Sequence, residues 1–92
     1  MKIIWSETAK RNFRKTIDYL YAEWTEREVV KFKANIESLI DKISKNHSLC
    51  PPSKVWNLRK CLIDKNNSLI YWNDAQSIYI ITIIDNRSSH QY

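Results

Sequence analysis

The sequence predicts an α+β fold in the order β-α-α-β-β-β, a helical hairpin on one face of a small, mainly antiparallel sheet. Three observations carry that expectation. Apolar residues recur at helical spacing through two successive stretches of the first half. A Pro51-Pro52 pair then closes off helix formation. After it come three segments rich in β-branched and aromatic residues, separated by Asn-rich turns. The 92 residues suit one domain spanning 1–92.

Lys2 to Trp5 is a short apolar run, read as a first or edge strand. Ser6 follows as a helix N-cap, its hydroxyl able to accept an unpaired backbone N–H, and Glu7 sits in the first turn, where the helix dipole favours an anion. Ala9, Phe13, Ile17, Leu20 and Trp24 form one apolar face, with Lys10, Arg11, Arg14 and Lys15 largely off it. Thr25-Glu26-Arg27-Glu28 has the form of a capping box and opens a second helix. Its apolar face is Val29, Phe32, Ile36, Leu39, Ile40 and Ile43, and Lys42 and Lys45 suit its C-terminal end. Residues 46–54 are a loop. Strands are expected at Val55–Ile63, Ser68–Asn73 and Ser77–Asp85, with turns at Asn66-Asn67 and Asn73-Asp74. The last strand is apolar on both parities, which suits a central strand buried on both faces. No element remains to cover the sheet face opposite the helices. The stretch 86–92 is a polar tail, whose last residues His90 and Tyr92 read as a frayed end.

Fifteen Lys+Arg against ten Asp+Glu give a net charge of +5, which favours an acidic partner over a neutral one. The absence of glycine removes Gly-rich phosphate loops and dinucleotide fingerprints. No apolar stretch follows Met1-Lys2, and none approaches the ~20 residues that span a bilayer. A cytoplasmic protein without membrane attachment is therefore expected. That compartment keeps thiols reduced, so Cys50 and Cys61 are expected as two free thiols, a bridge between them being the lesser alternative. His47, Cys50 and Cys61 do not make a zinc site, because they straddle a Pro-Pro loop and an unrelated strand. No metal, cofactor or small-molecule ligand is expected.

Several short stretches, in order, resemble the RelE/ParE toxin superfamily. They are Ile4-Trp5-Ser6 with Ala9, Asp18-Tyr19-Leu20, Trp24 at the helical corner, Arg59-Lys60, Ser68-Leu69-Ile70-Tyr71, and Ile83-Ile84-Asp85-Asn86-Arg87. The resemblance runs over essentially the whole chain and is closest to ParE-like members. It implies a toxin of a type II toxin–antitoxin system, neutralised by a cognate antitoxin protein. ParE-like members inhibit DNA gyrase, whereas RelE-like members bind the ribosome and cut messenger RNA without a metal. The shared fold does not choose between these targets.

Metal-free RNA cleavage needs a base for the ribose 2′-hydroxyl, cations on the phosphate and an acid for the leaving oxygen. The resemblance puts Arg59, Arg87, His90 and Tyr92 in those roles if the chain is a nuclease. The arginines would hold phosphate through their planar forks, and His90 or Tyr92 would move protons. The bland readings are a solvated cation for Arg59 and a frayed end for His90 and Tyr92. Arg59 belongs to the more polar parity set of its strand and is expected on the open sheet face. As a binding surface, Arg59, Lys60, Lys65 and Arg87 are the expected cations. Ser68 stands where nuclease members tend to carry a basic residue, and the strand bearing Arg59 and Lys60 continues into Cys61 and Leu62. Both departures weaken the cation set and favour the ParE-like reading.

Overall fold

The computed structural model describes residues Met1–Tyr92. The order is β1 (Lys2–Trp5), α1 (Glu7–Glu23), α2 (Glu26–Lys45), β2 (Arg59–Leu62), β3 (Asn67–Asn73) and β4 (Ser77–Asp85). The four strands lie in the order β1-β4-β3-β2. β2, β3 and β4 form the expected antiparallel meander, and β1 joins β4 in parallel. β4 is therefore internal, as its two-sided apolar pattern predicts.

Helix α1 starts as expected. The Ser6 hydroxyl accepts the Ala9 N–H at 2.9 Å and donates to the Ile81 carbonyl at 2.6 Å. That carbonyl is free because Ile81 is an extra residue in β4, between Ile80 opposite Tyr71 and Thr82 opposite Ile70. The bulge thus receives the start of the helix. Asn12 Nδ2 donates to Thr82 Oγ1 at 3.0 Å and fixes α1 along β4. Thr25 caps α2 through its carbonyl, which accepts Glu28 and Val29 N–H, and its hydroxyl makes no cap bond. The expected capping box is thus not formed, since the Glu28 carboxylate does not take the Thr25 N–H either. Trp24 also departs from expectation. The helix has already ended at Glu23, so Trp24 leaves the apolar stripe and is 60% exposed.

The core lies between the helices and one sheet face. Ala9, Phe32, Ile36 and Ile43 meet Cys61, Leu69, Tyr71, Ile78, Ile80 and Ile83 there, and Phe13 links the layers by contacting both Trp5 and Phe32.

Three expectations about the second half are corrected. Strand β2 begins at Arg59, not Val55, because residues 53–58 turn back on themselves around Asn57 at φ 66°. Asn tolerates that left-handed backbone better than most residues. The turn leaves Trp56 at its tip, 88% exposed. Cys50 and Cys61 are joined as a disulfide, not present as two free thiols, because a narrow ribbon brings their Cα atoms to 5.3 Å. The face opposite the helices is also not bare. Ser68 and Ile70 alternate onto it, yet both are sealed from solvent. Residues 86–92 run back along that side, from a Ser68–Asn86 hydrogen bond of 2.7 Å to a Lys54 N–H bond to the Tyr92 carbonyl of 3.1 Å. The tail is docked, not frayed.

Candidate functional site

Strand β3 separates two chemically different ends. At the Asn67 end, the Asp64–Asn67 turn is held by the Asp64 carboxylate, which accepts the N–H groups of Asn66 and Asn67 at 2.8 and 2.9 Å. Asn86 locks β4's exit to that turn, donating from its own N–H to the Asn66 carbonyl and from Nδ2 to the Lys65 carbonyl. Arg87 then projects at the mouth of a groove of about 710 Å³ between this turn and the helical corner. Lys15, Tyr19 and Trp24 line it from α1 and its end, Lys31 from α2, and Lys65 from the turn. Exposed aromatic faces interleaved with cations suit an anionic or extended partner.

Arg87 is held, not free. Its Nε and Nη2 donate to the two Asp85 carboxylate oxygens, each at 2.9 Å, and its backbone N–H also reaches Asp85 Oδ1 at 2.9 Å. These contacts hold the Asp85 carboxyl below its ordinary range, the guanidinium contributing most and the backbone N–H next. Asp85 in turn pushes the Arg87 guanidinium up, with a smaller contribution from Tyr19.

The other end of β3 is closed. Arg59 lies opposite Tyr71 in the strand pairing and shares its face with Cys61, a core residue. The expectation that Arg59 sits on the open face is therefore corrected. Its parity set looked polar because it includes Asn57, which lies in the turn and not in the strand. The Arg59 guanidinium donates to the Cys50 carbonyl at 2.6 Å. The fully buried Tyr71 hydroxyl donates to the His47 carbonyl at 2.6 Å, and burial pushes its phenol pKa up, against the Cys50 N–H and the Arg59 charge. His47 Nδ1 meets Asn73 Nδ2 at 3.2 Å.

The expected site residues are thus distributed. Arg87 and Lys65 share the groove. Arg59 sits at the closed end. Lys60 pairs with Ile70 and points to the side away from Arg59. His90 Nδ1 accepts the Tyr92 N–H at 3.2 Å, and the rings of His90 and Tyr92 lie 6.3 Å apart within the docked tail. Arg59 pairs with Tyr71 and Asp85 with Asn67, four residues apart on β3, or about 13 Å along the strand. Ser68 is fully buried and bonded to Asn86, so a basic side chain has no room there. Lys15, Tyr19, Trp24 and Lys31 were not expected as site residues. Trp24, at the end of α1, was a usable signal that helical periodicity assigned to packing, whereas Tyr19 entered only through the Asp18-Tyr19-Leu20 resemblance.

This combination of an α-hairpin, a four-stranded mixed sheet and a cationic groove at the helical corner defines a small two-layer α+β protein of the RelE/ParE class. The sequence matches the family described as the ParE toxin of the type II toxin-antitoxin system, parDE, over residues 3–89, and the chain belongs to that family. No curated protein matches it. Among solved structures, it is similar to the chromosomal ParDE toxin–antitoxin system of P. aeruginosa (TM-score 0.77, 17% identity, 92% of this chain and 95% of that one). It is also similar to the YoeB/ParE toxin of Agrobacterium tumefaciens (TM-score 0.69, 12% identity, 94% and 99%). A third likeness is to the YoeB dimer of Staphylococcus aureus (TM-score 0.65, 19% identity, 89% and 92%). At these identities the likenesses concern the fold. No helix of the chain is long and apolar enough to cross a membrane.

Proposed function

We propose that this toxin arrests growth by binding an essential target, DNA gyrase, rather than by cutting RNA, and that a cognate antitoxin neutralises it. The observation that carries the reading is that the chain's own hydrogen-bonding groups occupy the side chains a nuclease would use. Arg59 is spent on the Cys50 carbonyl, Arg87 on Asp85, and His90 on the Tyr92 N–H. Cations so committed offer little to a phosphorane-like transition state, which needs donors aimed at its oxygens. The groove suits recognition instead. Lys15, Lys31 and Lys65 surround Tyr19 and Trp24 without an ion-pair partner of their own. The net charge of +5 steers acidic surfaces toward it, and acidic antitoxin segments are the complement it selects.

The test is induction of the chain alone in bacteria, with messenger RNA ends and DNA supercoiling followed in the same cells. The expected result is growth arrest with intact messages and altered supercoiling or DNA damage. New RNA ends at ribosomal A-site codons would replace this reading with the RelE-like one, a ribosome-dependent endoribonuclease. Arg59, Arg87, His90 and Tyr92 would then be the catalytic candidates.

A further inference from the structure

Cys50 and Cys61 are the chain's only cysteines, and their surroundings define what joining them does. The backbone from Pro51 to Ser53 runs antiparallel to Leu58–Lys60 along the outer edge of β2. Ser53 N–H donates to the Leu58 carbonyl at 2.8 Å, Lys60 N–H donates to the Pro51 carbonyl at 3.1 Å, and Pro52 bridges Arg59. One step further along the same register, Cys50 stands directly opposite Cys61. The alternation of the ladder makes this a non-hydrogen-bonded pair, where facing side chains come closest. Few other links hold the ribbon. Pro51 and Pro52 have no N–H to donate. Besides the sulfur bridge, the pairing rests on those two backbone bonds and on Arg59 Nη1 to the Cys50 carbonyl. The end of the chain depends on the same ribbon, because Lys54 N–H holds the Tyr92 carbonyl.

We propose that Cys50–Cys61 is a reversible thiol–disulfide site, opened by a small dithiol, whose state decides whether residues 50–58 stay seated on the β2 edge. Cys50 is the point of entry, being 8% exposed against 1% for Cys61. A thiolate of the dithiol attacks Cys50 Sγ and forms a mixed disulfide. The bond to Cys61 breaks with its electron pair, and Cys61 leaves as a thiolate that takes up a proton. The second thiolate of the dithiol then displaces Cys50, which is protonated in turn. Two electrons have passed to the protein, and the reductant is left as its cyclic disulfide. The Arg59 guanidinium on the Cys50 carbonyl places positive charge beside this chemistry, which favours thiolates. In the opened state the ribbon lifts and the β2 edge carries unpaired backbone groups. Arg59 loses its acceptor, and the tail loses Lys54. Re-closure follows when the ribbon reseats, because the register of the seated ribbon puts Cys50 opposite Cys61 again. The inference does not depend on which target the toxin binds.

The purified full chain is equilibrated with reduced and oxidised dithiothreitol at graded ratios. Free thiols are trapped by alkylation and counted by mass spectrometry, and hydrogen exchange is read on the same samples. Both thiols are expected to appear together without denaturant. In the reduced form, amides between residues 53 and 62 should exchange about tenfold faster or more, while those of α1 and β4 keep their rates. The paired change Cys50→Ser with Cys61→Ser should show the fast pattern in every buffer. If that variant does not fold, the two states of the unaltered chain decide alone. A bridge that reduces only after unfolding, thiols that stay free under full oxidation, or identical exchange in the two states would each overturn the proposal.

Discussion

The two ends of strand β3 use the same kinds of side chain for opposite purposes. At the Tyr71 end, an arginine, a tyrosine, a histidine and two cysteines are all turned inward, each satisfied by a neighbour. At the Asn67 end, an arginine, three lysines, a tyrosine and a tryptophan border an open groove. The difference does not lie in composition. It lies in whether the chain supplies its own acceptors. The closed end has the carbonyls of His47 and Cys50 within reach, so its polar groups become structural. At the groove end Asp85 satisfies Arg87, Asp64 is taken up by its own turn and Glu28 pairs with no lysine, which leaves the lysines and aromatic faces to solvent. Stability should therefore be concentrated at one end and recognition at the other.

The largest effect is expected at Tyr71. It is fully buried, and Tyr71→Ala should cost about 3–5 kcal/mol in urea unfolding, as for other buried aromatics. Tyr71→Phe keeps the ring but strips the His47 carbonyl of its donor, and should cost about 1 kcal/mol. Trp24→Ala at the groove should stay within about 0.5 kcal/mol, since the side chain is mostly exposed. A Trp24→Ala loss equal to that of Tyr71→Ala would break the division between the ends. Next in size is the bridge. Replacing both cysteines by serine should lower stability by about 2–3 kcal/mol, the scale for closing a short loop across an 11-residue separation.

Much of the fold was legible beforehand, and the exceptions have physical causes. The helices follow their apolar periodicity, and β4 falls at Ser77–Asp85 as expected because an unbroken β-branched run admits few alternatives. Arg87 was singled out because the Asp85-Asn86-Arg87 stretch that closes β4 carries the family resemblance, and it lies on the groove lining. The closed end was misread because its groups are joined by long-range pairing. Periodicity cannot show that Cys50 faces Cys61, or that residues 53–58 turn back at Asn57. The docked tail was missed for a related reason. Its hold on the sheet is made by backbone groups and one Asn side chain, and a polar sequence does not announce where its carbonyls will be accepted.

At the groove the effect should be on function more than on folding. Arg87→Ala is expected to weaken growth inhibition with only a small change in the melting curve, that of losing an exposed ion pair, whereas Arg59→Ala should shift the melting curve more by freeing the Cys50 carbonyl. The two substitutions, compared in one induction assay and one thermal scan, sharpen the contrast. If Arg59→Ala abolished toxicity at unchanged stability, the closed end would have to be counted as part of the binding surface.

The smallest effect concerns acid. Asp74, at the closed end of β3, is held below its ordinary value of 3.8 mainly by the N–H groups of Gln76 and Ser77. Asp85, at the groove, is held below the same value mainly by the Arg87 side chain. Depressed folded values mean that both contributions are complete above the ordinary carboxylate range and are lost as pH falls through the folded values. Stability should therefore be flat near neutrality and decline from about pH 5 downward. Salt separates the two ends. At 1 M the Debye length is about 3 Å, which screens an exposed ion pair far more than a carboxylate seated on backbone N–H groups. In low salt, Asp74→Asn and Asp85→Asn should each flatten the acid slope. In 1 M salt the Asp74→Asn difference should persist, and the Asp85→Asn difference should shrink. Equal salt sensitivity at the two positions would mean that Asp85 is held by backbone and not by Arg87, leaving the guanidinium free to meet a partner.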